Sequence, residues 1–132
     1  MPEFLNGKPV RGASRYSDGS KGGDREDMIL ENDIAFGALV QRLKETDDPR
    51  NPGDKLIKNT LIIFTSDNGP NVGDNYGTNL ESGELRGKKA KIWEGGHRVP
   101  FVLYWDGVLE KGGTNPNLFS LTDLFSTFAR IV

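Results

Sequence analysis

Asn59-Thr60-Leu61-Ile62-Ile63-Phe64-Thr65-Ser66-Asp67-Asn68-Gly69-Pro70 runs from a short, β-branched apolar segment into a pentapeptide rich in oxygen ligands. A continuous apolar run of this length predicts a strand over 59–65 buried on both faces, and central parallel strands have that pattern. Ligands in open α/β sheets gather beyond the carboxyl ends of strands. Asp67 and Asn68 are therefore candidate ligands of a hard divalent metal, since Ca²⁺ and Mg²⁺ prefer carboxylate and amide oxygens. The same residue types also make ordinary turns, and the pentapeptide alone leaves both readings open.

Working outward from this segment, Asp24 is a candidate N-cap with Asp27 at the third helical position. Ile29, Phe36, Leu39, Val40 and Leu43 follow at three- and four-residue spacing, which predicts an amphipathic helix over 25–45. Asp33 falls on its apolar side, where a structural carboxylate held by hydrogen bonds is expected. Residues 46–54 hold two prolines and a glycine and end the helix in a surface loop. Residues 1–24 carry few apolar positions and read as a loosely ordered lead-in. From Gly69 to Gly96 the chain holds seven glycines and no apolar periodicity, the composition of a long loop. Val99-Pro100-Phe101-Val102-Leu103-Tyr104-Trp105 predicts a second buried strand. Ser120-Leu121-Thr122-Asp123 opens a last helix as a capping box, with Leu121, Leu124, Phe125, Phe128 and Ile131 along one face. The outline is α/β.

Bulk properties narrow the function classes. At 132 residues and 14.6 kDa the chain fits one modest domain. A net charge of −2, with 17 basic and 19 acidic residues interspersed, provides no field that recruits nucleic acid or an anionic membrane. The absence of cysteine removes disulfides, zinc-thiolate sites and a cysteine nucleophile. No apolar stretch approaches the roughly 20 residues of a spanning helix, and Met1-Pro2-Glu3-Phe4 lacks the regions of a signal peptide.

The opening segment, taken with Leu85-Arg86-Gly87-Lys88-Lys89-Ala90-Lys91-Ile92-Trp93-Glu94-Gly95-Gly96-His97-Arg98-Val99-Pro100-Phe101, resembles the sulfatase family of arylsulfatase and N-acetylgalactosamine-6-sulfatase type. A third block, Ser120-Leu121-Thr122-Asp123-Leu124-Phe125-Ser126-Thr127, resembles the family's S-L-T-D-L-x-x-T and stands in the right order. Residues 11–43 match more weakly. The resemblance implies an α/β fold that is part of an alkaline-phosphatase-superfamily sheet with flanking helices. It covers the latter part of a catalytic domain, so that 1–132 reads as a single partial domain.

For the site, the resemblance implies Ca²⁺ ligation by Asp67 and Asn68 and contact between Lys89 and the sulfate group. A cation there would neutralise charge on the ester oxygens in the transition state. Lys89 is thus the candidate catalytic and substrate-binding residue. His97 stands at the variable position of E-G-G-x-R-V-P and is expected at the substrate rim. Glu94 and Arg98 are expected to pair and hold the loop, Lys88 and Lys91 to be solvated, and the loop 71–84 to shape the pocket. The family's formylglycine nucleophile arises from C/S-x-P-x-R, which is absent from this sequence, so the chain alone is expected to be inactive.

The implied substrates are sulfate esters, sulfated sugars being candidates, with no nucleic acid or membrane partner. The resemblance implies a periplasmic, secreted or lysosomal parent protein. Exposed apolar faces on a partial domain would favour self-association. Two other readings stay open: a non-catalytic metal- or anion-binding module, and a phosphoryl-transfer enzyme of the same superfamily.

Overall fold

The computed structural model describes Phe4–Leu5, Lys8–Pro9, residues 12–71 and residues 82–131. Strands β1 (Phe4–Leu5) and β2 (Lys8–Pro9) form an antiparallel hairpin. Helix α1 (Asp24–Glu45) follows, then a 3-10 turn at Leu56–Asn59, strand β3 (Ile62–Thr65), a four-residue helix α2 (Glu94–His97), strand β4 (Phe101–Tyr104) and helix α3 (Asp123–Ile131). The chain is a small mixture of helices and strands.

Helix α1 is not amphipathic along one stripe. At about 100° per residue, Asp27, Leu30 and Ile34 face one side and Phe36, Val40 and Leu43 the opposite side, and all six are buried or half-buried. The first half meets the lead-in, with α1 touching β2; the second half meets the 3-10 turn. Phe36 also packs on Phe64 of β3, ring centroids 5.1 Å apart. Ile29 and Leu39, expected inside, are exposed: Ile29 shares the side of Phe36 and Val40 but lies in the first half of the helix, where the lead-in packs on the opposite side, and Leu39 lies off the edge of that stripe. Asp33 is exposed as well, so the expected satisfied structural carboxylate is corrected to a surface one.

The residue that caps α1 is Gly23, not Asp24: its N–H donates to Glu26 Oε2 at 2.7 Å, satisfying a donor at the helix entrance. The lead-in, expected as loosely ordered, is tied down over residues 12–22 by the buried Asp27. Its carboxylate accepts the Ser14 hydroxyl at 2.5 Å, the Ser14 N–H at 2.9 Å and the Gly12 N–H. These donors, the Ser14 hydroxyl foremost, hold Asp27 down at about 2. Beyond α1, Asp48 is 2% exposed and anchors the proline-rich loop. It accepts the Arg50 N–H at 2.9 Å and the Asn59 amide at 3.3 Å. The Arg50 N–H is the main cause that keeps its pKa below the ordinary carboxylate value against the cost of burial.

β3 pairs with β4 in antiparallel register, Ile62 opposite Tyr104 and Thr65 opposite Phe101. The expected central parallel strand is therefore corrected to one strand of an antiparallel pair. Among the described residues the connection between β3 and β4 holds one helix, the four-residue α2, and an apolar β-branched run has the same composition whichever way its neighbour runs. Phe64, Val102 and Leu103 are exposed, so the expected burial on both faces is corrected too. Lys58, in the 3-10 turn, donates to Asp106 beyond β4 at 2.7 Å, and Tyr104 adds a 3.1 Å hydrogen bond from its hydroxyl. The Lys58 ammonium is the leading cause of the lowered Asp106 pKa.

Among the described residues Ile57, at 7% exposure, is the sole buried apolar side chain. Helix α3 begins as its box predicts, with the Ser120 N–H donating to Asp123 Oδ2 at 2.9 Å. Its apolar face, however, has no cover: Leu121, Phe125, Phe128 and Ile131 are all exposed, Phe125 to 85%.

Candidate sulfate and metal site

The loop after β3 and the loop before β4 dock through their backbones. The Gly69 N–H donates to Gly96 O at 2.9 Å, and the Lys89 N–H donates to Pro70 O at 2.9 Å. Asp67 and Asn68 thus lie in the strand-end loop that carries both bridges, opposite the loop that carries Lys89. The contact is close enough to require glycine. A Cβ on Gly69 would sit 1.9 Å from Gly95 O, one on Gly95 2.5 Å from Gly87 O, and one on Gly96 2.2 Å from Lys91 O. Here the two glycines of E-G-G serve as backbone packing surfaces.

The second loop closes on itself. The Gly95 N–H donates to Arg86 O at 2.7 Å, the Gly96 N–H to Trp93 O at 2.7 Å, and the Lys91 N–H to Lys88 O at 3.0 Å. The Arg86 guanidinium carbon lies 3.7 Å from the centroid of the Trp93 ring, within the range of a cation–π contact. Gly87 has φ +94° and leaves no room for a side chain against Trp93. Ala90, next to Lys89, is the one described non-glycine residue in the left-handed region, φ 65°.

Asp67 is exposed and Asn68 half-buried. Asn68 Nδ2 donates to Gly69 O at 2.9 Å, which leaves the amide oxygen free to accept or ligate. The Ser66 hydroxyl donates to Asn68 O at 2.9 Å and tightens the turn. In kind these donors suit a hard divalent cation, but Ca²⁺ takes about six to eight oxygens. No cluster of three or more His, Cys, Asp or Glu side chains occurs among the described residues. The side chains of Asp67 and Asn68 alone fall short of that number of oxygens.

Lys89 is exposed and forms no ion pair among the described residues. Its neighbour in sequence Lys88, expected to be solvated, is half-buried. His97 is exposed at the end of α2, its Nε2 3.7 Å from Glu94 Oε1. Glu94 and Arg98 pair as expected, at 3.3 Å. Of the loop 71–84, residues 72–81 lie outside the described residues. The sequence carries no direct signal for the Arg86–Trp93 contact, whereas the adjacent glycines of E-G-G are the feature that suits the close backbone approach.

The sulfatase family model matches residues 23–132, most of the chain. The chain belongs to the sulfatase family. This sulfatase segment is 32% identical over 114 residues to an arylsulfatase of Hemicentrotus pulcherrimus, covering 86% of the chain and 19% of that protein. It is 32% identical over 126 residues to an N-acetylgalactosamine-6-O-sulfatase of Bacteroides thetaiotaomicron, covering 89% and 23%. Against human arylsulfatase A it is 32% identical over 123 residues, covering 93% and 22%. The chain spans about a fifth of the length of these relatives. No solved structure matches it.

Proposed function

We propose that this sulfatase segment forms the metal-and-sulfate side of the active site in a sulfuric ester hydrolase of the alkaline-phosphatase superfamily. The observation that carries this reading is the double backbone bridge, Gly69 to Gly96 and Pro70 to Lys89, which joins the Asp67–Asn68 loop to the lysine loop. In this reading Asp67 and the free oxygen of Asn68 ligate Ca²⁺. Lys89 contacts the sulfate and neutralises its oxygens as the S–O bond to the leaving alcohol breaks. His97, exposed at the rim, contacts the alcohol portion of the substrate. Ca²⁺, when bound, would polarise the sulfate oxygens.

The nucleophile, a formylglycine, and the remaining metal ligands come from sequence outside these 132 residues, and the chain alone is inactive. The uncovered face of α3 and the exposed residues of β3 and β4 then pack against the rest of the catalytic domain. The substrates are sulfate esters, with sulfated sugars favoured by the N-acetylgalactosamine-6-O-sulfatase relative.

The test is product analysis with the protein as expressed from its own gene, given an aryl sulfate and the matching aryl phosphate with and without a calcium chelator. Release of inorganic sulfate, lost on chelation, with at least a hundredfold less phosphate released, is expected. Equal or greater phosphate release would point to phosphoryl transfer, and turnover of neither ester to a non-catalytic binding module.

A further inference from the structure

We infer that Arg86 is a positioning residue for Lys89, acting through its contact with Trp93. The inference rests on the sulfate-contacting reading of Lys89 given above.

Arg86 makes two contacts that close one loop. Its carbonyl accepts the Gly95 N–H at 2.7 Å, and its guanidinium lies 3.7 Å from the centroid of the Trp93 ring. Gly87, at φ +94° and with no space for a Cβ beside Trp93, turns the chain between these contacts. Residues 88–92 are therefore held at both ends, and the far end leads into the Gly95–Gly96 pair that packs on Gly69.

Within the held segment, Ala90 keeps φ at 65°, a region that disfavours any side chain and persists where the surroundings impose it. The imposed turn sets the direction in which Lys89 leaves the backbone while its N–H stays on Pro70 O at 2.9 Å. An ammonium on a flexible four-carbon stem gains most from a fixed base, because misplacement of a charge by about 1 Å weakens transition-state stabilisation strongly. Trp93 is 42% exposed, so the ring is a support for the guanidinium and not a core side chain whose loss would unfold the domain.

The experiment is a double-mutant cycle in the protein as expressed from its own gene, with hydrogen exchange as a second readout. Arg86→Gln is expected to lower kcat at least tenfold, to change KM less than threefold, and to leave Arg86→Gln/Lys89→Ala no slower than Lys89→Ala alone. Arg86→Lys, which keeps a charge over the ring, should fall between wild type and Arg86→Gln. Amide exchange in Arg86→Gln should speed at least tenfold at Lys89 and Gly95 and stay unchanged in the middle of α1.

An unchanged kcat, a double variant that multiplies the two losses, or exchange that speeds equally in α1 would overturn the inference; the last would mark a general loss of fold. Should the wild-type protein release no sulfate while the exchange pattern holds, the sulfatase reading fails and the loop-positioning role of Arg86 stands.

Discussion

The Gly69 N–H and the Gly96 carbonyl meet at 2.9 Å, and the backbones pack so closely that a methyl group on Gly69 would lie 1.9 Å from Gly95 O. Two segments more than twenty residues apart in sequence are thereby fixed against one another at the strand end. The catalytic reading of Asp67, Asn68 and Lys89 depends on this contact, because none of the three is held in place by burial.

Gly69→Ala forces backbone against backbone, with no flexible side chain to yield. It should cost about 2 kcal/mol or more, at the upper end of overpacking substitutions, and should weaken calcium dependence along with stability. Gly37→Ala is the matched control. It lies inside α1 with open space where the methyl would go, and should gain about 0.5–1 kcal/mol from helix propensity. Urea denaturation of the two variants beside wild type checks both signs.

Acid should loosen the lead-in as Asp27 takes up its proton. Asp27 is held at about 2 by the Ser14 hydroxyl and the N–H groups of Gly12 and Ser14, against about 3.9 for an unperturbed Asp. A depressed folded-state value means the stabilisation is complete above the unfolded value and lost as pH falls from about 4 towards 2. The wild-type urea midpoint should fall through this window. Asp27→Asn should start lower at pH 6 and change less between pH 4 and 2. Parallel slopes for the two proteins would remove Asp27 from the explanation.

The open face of α3 makes the isolated 132-residue chain prone to associate. Leu121, Phe125, Phe128 and Ile131 are exposed together, and a contiguous apolar patch of that kind favours contacts with other surfaces. The chain should bind a hydrophobic dye and scatter light as oligomers. Phe125→Asp should reduce both signals at least twofold. A monomeric, dye-silent chain would count against a covering partner for this face.

Much of the local structure was legible in the sequence because it is encoded locally. The capping box at Ser120 and Asp123, the helix over 25–45 and both strands follow from spacing and propensity, as does the pairing of Glu94 with Arg98. Strand direction was not legible, since the apolar run at 61–64 has the same composition whether its neighbour runs parallel or antiparallel. The two stripes of α1 look like one in the sequence because Ile29 and Leu39 keep helical spacing, although Ile29 precedes the covered part of its side and Leu39 sits at the edge of it. The candidate site was named from motifs, but its assembly depends on carbonyl and N–H groups of glycines, which carry no side-chain signature. The Arg86–Trp93 contact links residues seven apart across a turn that only the left-handed Gly87 and Ala90 make.

Sulfate release from a chromogenic aryl sulfate, measured across a calcium titration for wild type, Asp67→Ala, Lys89→Ala and His97→Ala, tests the account most directly. Calcium-dependent turnover is expected in the wild-type protein as expressed from its own gene. Lys89→Ala should lose about a hundredfold to a thousandfold in kcat, the range for removing one preorganised charge-stabilising group. Asp67→Ala should need far more calcium for any turnover, and His97→Ala should lose less than tenfold, chiefly in KM. Wild-type levels of kcat and calcium response in both Asp67→Ala and Lys89→Ala would contradict it.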